Sequence, residues 1–259
     1  MTEQPERPPS SGRNHLLTAS VIWVILTIAG LIAVGAWVPD SFPFLASEEG
    51  AVADGAIVFL SYLVIPVFTF VLVAVVYAMI RFRVRPDDTA DSASQLRTHR
   101  GYTVTWLGAT TALAVLVTIH PGVTGLLEIW GARDEPDPLV VEVTAQQWEW
   151  SFTYPDQGIE NQPELVLPVD QPVRFMITSE DVIHSFWIPA FRLKHDAVPG
   201  STIELSLTPD RVGSTGTSEM MRVQCAELCG IGHADMAAPV RVVPAAEFEQ
   251  WVTEVGGGQ

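Results

Sequence analysis

The stretch from Cys225 to Met236 reads CAELCGIGHADM, and it decides how the rest of the chain is interpreted. It holds both cysteines of the protein, one of its six histidines, and a methionine three residues after that histidine. Thiolate, imidazole and thioether together form a soft ligand set, which suits copper far better than magnesium, calcium or manganese. The stretch is therefore a candidate site for a transition metal.

Other uses of these residues have to be weighed. A Cys225–Cys229 disulfide would suit an oxidising compartment, but it leaves His233 and Met236 without a role. Zinc would take the cysteines and a histidine, yet it makes no use of a thioether and usually occurs with closer cysteine pairs. A single blue-copper ion needs only one cysteine, so the second would be surplus. Two thiolates one helical turn apart can instead bridge two copper ions, each of which needs one imidazole.

A second histidine for such a site is available at His184, which lies in a turn between apolar runs. Here the chain resembles subunit II of cytochrome c oxidase. The motifs that carry the resemblance are DVIHS over 181–185, DAVPG over 196–200, and the C-x-E-x-C-G-x-x-H-x-x-M pattern that begins at Cys225. The resemblance covers nearly the whole chain from the second hydrophobic span onward.

The resemblance implies a dinuclear copper centre of the kind called CuA. By position, Cys225 and Cys229 would bridge both copper ions. His184 and His233 would each bind one of the ions. Met236 would be an axial ligand of one ion, and a backbone carbonyl of the same loop would be the axial ligand of the other.

Two further residues have roles that the resemblance implies. Glu227 would supply that backbone carbonyl, and its side chain would reach a magnesium ion at the boundary with subunit I, since carboxylates are preferred magnesium ligands. Trp148 would be the point where electrons enter from cytochrome c. The family commonly has an aromatic residue after this tryptophan, whereas this chain has Glu149.

Composition places the chain at a membrane. Hydrophobic residues make up 48% of the 259 residues, and the net charge of −16 argues against nucleic acid as a partner. Residues 1–14 are predicted to be a disordered cytoplasmic tail. The apolar segments 15–37, 56–80 and 102–127 are predicted to be transmembrane helices. Segment 15–37 also resembles a signal peptide, but it is longer than a usual signal core.

The arginines between residues 81 and 101 place that loop in the cytoplasm, because cytoplasmic loops carry an excess of basic residues. Everything after the third span, including the cysteine stretch, then lies on the exoplasmic side of the cell membrane. The protein is therefore expected to be a multi-pass membrane protein with an exoplasmic C-terminal domain.

From Leu139 the pattern changes to short runs of β-forming residues separated by Pro, Gly and Asp. Strands are predicted over 139–145, 148–154, 164–168, 173–178, 202–207, 220–225 and 239–243, followed by a short amphipathic helix over 247–252. Many short strands at this spacing favour a Greek-key sandwich or barrel. The predicted fold class is thus N-terminal transmembrane helices followed by an all-β domain, residues 139–252, which the resemblance implies is cupredoxin-like.

The resemblance implies the electron-entry subunit of a haem–copper terminal oxidase, with electrons passing from cytochrome c or another small donor to the haem of subunit I. Oxygen reduction would occur in that partner subunit. An alternative is the corresponding subunit of a CuA-type nitric oxide reductase, because Thr103 stands where the family commonly has a glutamate. A membrane-anchored copper carrier is a third interpretation, which two bridging cysteines disfavour because a carrier must release its metal.

Overall fold

A computed structural model describes residues 12–83 and 99–256 of the chain. The predicted tail lies outside these ranges up to residue 11, and the predicted basic loop lies outside them between residues 84 and 98. Contacts divide the chain into two compact units. The first unit consists of the helical part of the chain up to Ser41 together with Ile57–Val117. The second unit consists of Phe42–Ala56 together with the chain from Thr118 onward.

Three helical segments of the described residues are long and apolar enough to cross a membrane, judged by length and composition. Helices α1, Gly12–Ser41, and α2, Glu48–Arg81, each extend beyond the spans predicted at 15–37 and 56–80. The third segment comprises α3, Arg100–Val117, a π-helical stretch, Thr118–Val123, and α4, Thr124–Gly131. Non-helical dihedral angles at His120, φ −137° and ψ 121°, interrupt this segment.

Within the first unit, α1 and α2 are joined by polar contacts between otherwise apolar faces. The indole nitrogen of Trp23 donates to the carbonyl of Pro66 at 2.9 Å, and the hydroxyls of Thr27 and Thr69 lie 2.8 Å apart. Such contacts satisfy polar groups that lipid could not. Many apolar side chains of these helices are exposed, as lipid-facing side chains would be.

The second unit is built mainly of strands. They are β1 Leu139–Gln146, β2 Glu149–Tyr154, β3 Ile159–Gln162, β4 Leu165–Pro168, β5 Val173–Ser179, β6 His184–Trp187, β7 Lys194–Ala197, β8 Ile203–Leu207, β9 Gly213–Ser214, β10 Arg222–Cys225 and β11 Ala237–Val243. One sheet has the order β3-β2-β1-β5-β8, and the other has the order β4-β11-β10-β6-β7 with β9 paired to β11. A C-terminal helix, α5, covers Ala245–Gly256.

The two sheets share one hydrophobic core. Side chains of β1 and β5 alternate between buried and less buried positions, because successive residues of a strand point to opposite faces. Rings from both sheets meet at Phe186 of β6, which lies 5.7 Å from Trp150 and 5.2 Å from Phe175 between ring centroids. The prediction of apolar N-terminal helices followed by an all-β sandwich is confirmed.

Seven predicted strands are present with small shifts at their ends, whereas β3, β6, β7 and β9 were not predicted. His184, which was predicted to lie in a turn, is instead the first residue of β6. Backbone pairing explains the difference, since β6 lies between β10 and β7 in the sheet. The first three residues of β6 are all buried, so this strand shows no alternation, and only its neighbours identify it.

The segment Phe42–Ala56 belongs to the β-rich unit. Ala46 is fully buried, and its backbone N–H donates to the carbonyl of Ala190 at 2.9 Å. Arg192 forms two hydrogen bonds to the carboxylate of Asp54, of 2.9 and 3.1 Å, and also donates to the carbonyl of Pro43. Residues 42–56, which lie between the first two long apolar segments, are therefore part of the domain that carries the cysteines.

Candidate metal centre

The candidate metal site lies in the loop between β10 and β11. Cys225 is the last residue of β10, and Met236 immediately precedes β11. The backbone N–H of Cys225 donates to the carbonyl of Met236 at 3.0 Å, which closes the base of the loop. A short 3₁₀ turn over His233–Asp235 directs the chain back towards the strands. Pairing of two strands therefore holds the first and last candidate ligands together.

Strand β6 brings His184 to this loop. Cys225 pairs with Phe186 in the sheet, and the N–H of Ala226 donates to the carbonyl of Ser185 at 2.9 Å. His184 is fully buried. Its Nδ1 lies 3.9 Å from the Sγ of Cys225. Sheet register therefore places an imidazole against a thiol 41 residues away in the chain.

The candidate ligand atoms converge on Cys229. Its Sγ lies 3.7 Å from the Sγ of Cys225, 3.6 Å from the Nδ1 of His233 and 3.7 Å from the Sδ of Met236. Both cysteines are free and buried. Ligand atoms of His184 and the two cysteines all lie within 4.8 Å of one another, so this group could hold a metal ion. The structure thus brings together the side chains that the sequence selected.

Glu227 contributes differently through its backbone and its side chain. Its carbonyl oxygen lies 3.1 Å from the Sγ of Cys225, so the carbonyl faces the group of sulfur atoms. Its side chain is exposed, away from the buried ligands. The carbonyl and the carboxylate of Glu227 therefore face different surroundings, and the two roles that the resemblance implies for them stay predictions.

The Cys229 thiol of the metal-free site is protonated at neutral pH. Burial, together with the hydrogen bond and charge of the neighbouring Cys225, raises the pKa of Cys229 to about 11. A metal binds the thiolate form of cysteine, so metal uptake must displace this proton. Two thiols, two imidazoles, one thioether and a carbonyl form a sulfur-rich donor set that fits copper.

Asp181 is part of the site, although the sequence interpretation gave it no contact with a ligand. Its Oδ1 lies 2.8 Å from the Nε2 of His184. Loss of solvation acts to raise the pKa of Asp181, but hydrogen bonds from His184 and from the backbone N–H groups of Gln147 and Val182 outweigh it and lower the pKa to about 2. The spacing of a carboxylate three residues before a ligand histidine was the available signal.

Trp148 lies on the surface of the same loop. Its side chain is 40% exposed, and its indole N–H donates to the carbonyl of Cys229 at 3.3 Å. The ring covers Gly232 so closely that a Cβ at that glycine would lie 2.5 Å from the ring atom Cδ2. Only glycine allows this approach. Trp150, by contrast, is 3% exposed and packs in the core.

Comparison with known proteins agrees with this geometry. The family model for the periplasmic domain of cytochrome c oxidase subunit II matches residues 157–243, which include all the candidate metal ligands. Cytochrome c oxidase subunit 2 of Bacillus subtilis is 34% identical over 186 residues, which cover 69% of this chain and 52% of that protein. The subunit 2 of Thermostichus vulcanus is 39% identical over 140 residues, covering 54% of this chain and 40% of that protein.

A solved structure is also similar. The periplasmic domain of subunit II of the Bradyrhizobium japonicum cytochrome oxidase shares 34% identity, and the match covers 46% of this chain and 94% of that one with a TM-score of 0.41. The chain spans about half the length of the curated relatives named above. Because the family model and these relatives match its sequence, the chain belongs to the cytochrome c oxidase subunit II family.

Proposed function

We propose that this chain is the electron-entry subunit of a haem–copper terminal oxidase. The observation that carries the proposal is the convergence of Cys225, Cys229, His184, His233 and Met236 at one end of the β domain. The chain itself would perform no bond chemistry. It would receive electrons on the exoplasmic side and pass them to the haem of subunit I, where oxygen is reduced.

The proposed cofactor is a pair of copper ions, which would supply one-electron redox chemistry when bound. Cys225 and Cys229 would bridge the pair, while His184 and His233 would each hold one ion. Met236 and the carbonyl of Glu227 would complete the ligand set. Burial of most of these donors supports a site that keeps its geometry between redox states, because a packed β scaffold resists rearrangement.

Trp148 is the proposed point of electron entry. Its half-exposed ring can touch a donor, while its indole N–H reaches the carbonyl of a proposed copper ligand, Cys229. This contact supports a short route from the surface to the metal site. The exposed apolar side chains of Ile231 and Leu228 lie on the same loop and enlarge the surface that a partner could cover.

Electrostatics support a basic donor such as a cytochrome c. Carboxylates outnumber basic side chains in the β domain, and the exposed Glu149 and Glu180 lie close in sequence to Trp148 and His184 respectively. A surface of one sign steers an oppositely charged partner and raises its association rate. Lipid would surround the N-terminal helices, and the β domain would lie on the exoplasmic side of the membrane. The Glu227 carboxylate would bind magnesium at the boundary with subunit I.

Two other functions use the same loop. A CuA-type nitric oxide reductase subunit would have the same ligands, and Thr103 favours it slightly; non-haem iron ligands in the partner subunit would identify it. A copper carrier needs ligands that exchange. His184 is fully buried, and Cys229 and Met236 are 3% and 1% exposed, which disfavours release.

Metal analysis and electron paramagnetic resonance of the full chain test the proposal. We expect two copper ions per chain and an unpaired electron shared between them. Cys225→Ser and Cys229→Ser should each abolish this state, because neither ion keeps two sulfur bridges. A spectrum from a single localised copper, or a chain that binds only zinc, would contradict the assignment.

A further inference from the structure

His184 has two ring nitrogens, and each one faces a different group. Nδ1 lies 3.9 Å from the Sγ of Cys225, on the side of the proposed metal. Nε2 lies 2.8 Å from the Oδ1 of Asp181. A neutral imidazole has one N–H and one lone pair, so a ring that offers Nδ1 to a metal must carry its proton on Nε2. That proton then has an acceptor already in place.

The carboxylate of Asp181 is itself held on both oxygens. Oδ2 accepts the backbone N–H of Gln147 at 2.8 Å, and Oδ1 accepts the backbone N–H of Val182 at 2.6 Å. The hydroxyl of Ser179 lies 3.4 Å from Oδ1. Because the two backbone N–H groups are fixed donors, one to each oxygen, the position suits a group that accepts through both oxygens, as an ionised carboxylate does. An asparagine would place its amide N–H₂ against one of these donors.

The same contacts reach the cysteine loop. Gln147, whose N–H donates to Asp181, also donates from its side chain to the carbonyl of Cys229 at 2.7 Å. Three separate segments are thereby joined, namely the β1–β2 turn, the β5–β6 turn and the loop between β10 and β11. Asp181 connects the segment that bears one proposed imidazole ligand to the turn that supports the bridging cysteine.

From these contacts we propose that Asp181 is a positioning residue that fixes the tautomer and ring orientation of His184 for metal binding. The inference rests on the proposed copper site for its consequence, a higher metal affinity. Partners of this kind raise the basicity of a ligand histidine, and their loss typically lowers metal affinity about 10–100-fold. Asp181 therefore acts within the site, not only as part of an acidic surface that attracts a donor.

The test uses the full chain in detergent with three substitutions. Asp181→Asn removes the charge and one acceptor, while Asp181→Glu keeps the charge but moves the oxygens by one methylene. Glu180→Gln is the matched control, since it removes a charge at the neighbouring exposed position. Copper affinity is measured by competition with a chelator, and the His184 tautomer by nitrogen-15 NMR of the metal-free chain.

We expect both Asp181 variants to lose copper affinity by about 10–100-fold, and Glu180→Gln to retain it. Metal-free wild-type chain should carry the His184 proton on Nε2, and Asp181→Asn should change that signal. Rescue by Asp181→Glu would show that charge alone matters, and it would overturn the positioning role. Unchanged affinity and tautomer in Asp181→Asn would overturn it as well.

The two proposals fail in different ways. A wild-type chain that binds no copper, but whose His184 tautomer still depends on Asp181, would refute the copper assignment and support the positioning role. If the wild-type chain binds two copper ions and Asp181→Asn behaves identically, the copper assignment is supported and the positioning role is refuted. If Asp181→Asn unfolds but Asp181→Glu folds, the His184 tautomer and the copper affinity of Asp181→Glu decide the question. This variant keeps the carboxylate charge and changes only the position of the oxygens, so a loss of affinity supports the positioning role and wild-type affinity overturns it.

Discussion

Replacing Arg192 by methionine should release the segment Phe42–Ala56 from the β domain. The guanidinium donates to both oxygens of Asp54, at 2.9 and 3.1 Å, and to the carbonyl oxygens of Phe44, Pro189 and Pro43 at 3.2, 2.7 and 2.6 Å. Methionine keeps a flexible apolar stem of similar length but has no donor. The variant therefore removes five hydrogen bonds with little change in packing.

The magnitude follows from the burial of the ion pair. Both side chains are 13% exposed, so water cannot fully replace the lost partner. Breaking a buried pair by removing one member destabilises by about 3–5 kcal/mol. The lower end applies here because the pair retains some exposure. About 3 kcal/mol corresponds to about a 150-fold increase in the population of the opened segment.

Hydrogen–deuterium exchange of the full chain measures this opening. The amide of Ala46 donates to the carbonyl of Ala190 at 2.9 Å, and that of Glu48 donates to the carbonyl of Thr208 at 3.1 Å. Both amides should exchange about 150-fold faster in Arg192→Met if opening of the segment limits their exchange. The core strands should remain protected, because they do not depend on the segment for their pairing.

Arg241→Met is the matched control. Arg241 lies 3.5 Å from Glu164 and 3.1 Å from Glu247, but its side chain is 32% exposed, and such surface pairs contribute about 0–1 kcal/mol. It should leave the exchange of the Ala46 and Glu48 amides unchanged. Equal protection in wild type and Arg192→Met would refute the reasoning. Uniformly faster exchange across the whole domain would refute it too, since the effect would then be global.

Four further predictions concern the proposed electron path and topology. Gly232→Ala should push the Trp148 ring outward by about 1 Å, to an ordinary contact distance, and so slow electron transfer from the donor while the copper content stays intact. Gly216→Ala is the control and should leave electron transfer unchanged, because its Cβ would lie 3.6 Å from its nearest neighbour. Copper affinity should rise about tenfold per pH unit for the Cys229 proton that binding displaces, because the pKa of Cys229 lies near 11. An affinity independent of pH between about 6 and 8 would argue against this. Glu180→Gln should weaken association with a basic donor and flatten its salt dependence, whereas a donor indifferent to salt would leave this carboxylate without a steering role. A reporter fused to the C-terminus should be active only on the exoplasmic side, and cytoplasmic activity would reverse the proposed topology.

The sequence alone predicted the ligand types of the candidate site, and it predicted the class of the fold correctly. Cys225, Cys229, His233 and Met236 lie within twelve residues, so their types and spacing could be recognised without coordinates. Long apolar runs predicted the helices because hydrophobic length is a local property. Alternating β-forming runs predicted seven of the strands for the same reason.

Tertiary structure decided which side chains act together. Asp181 was visible in the sequence as the first residue of the DVIHS motif, but its contact with His184 depends on where β6 begins. The contact of Gln147 with Cys229 joins positions 82 residues apart, and that of Arg192 with Asp54 joins positions 138 apart. No local pattern encodes such pairs, because sheet order and register place them side by side only after the chain has folded.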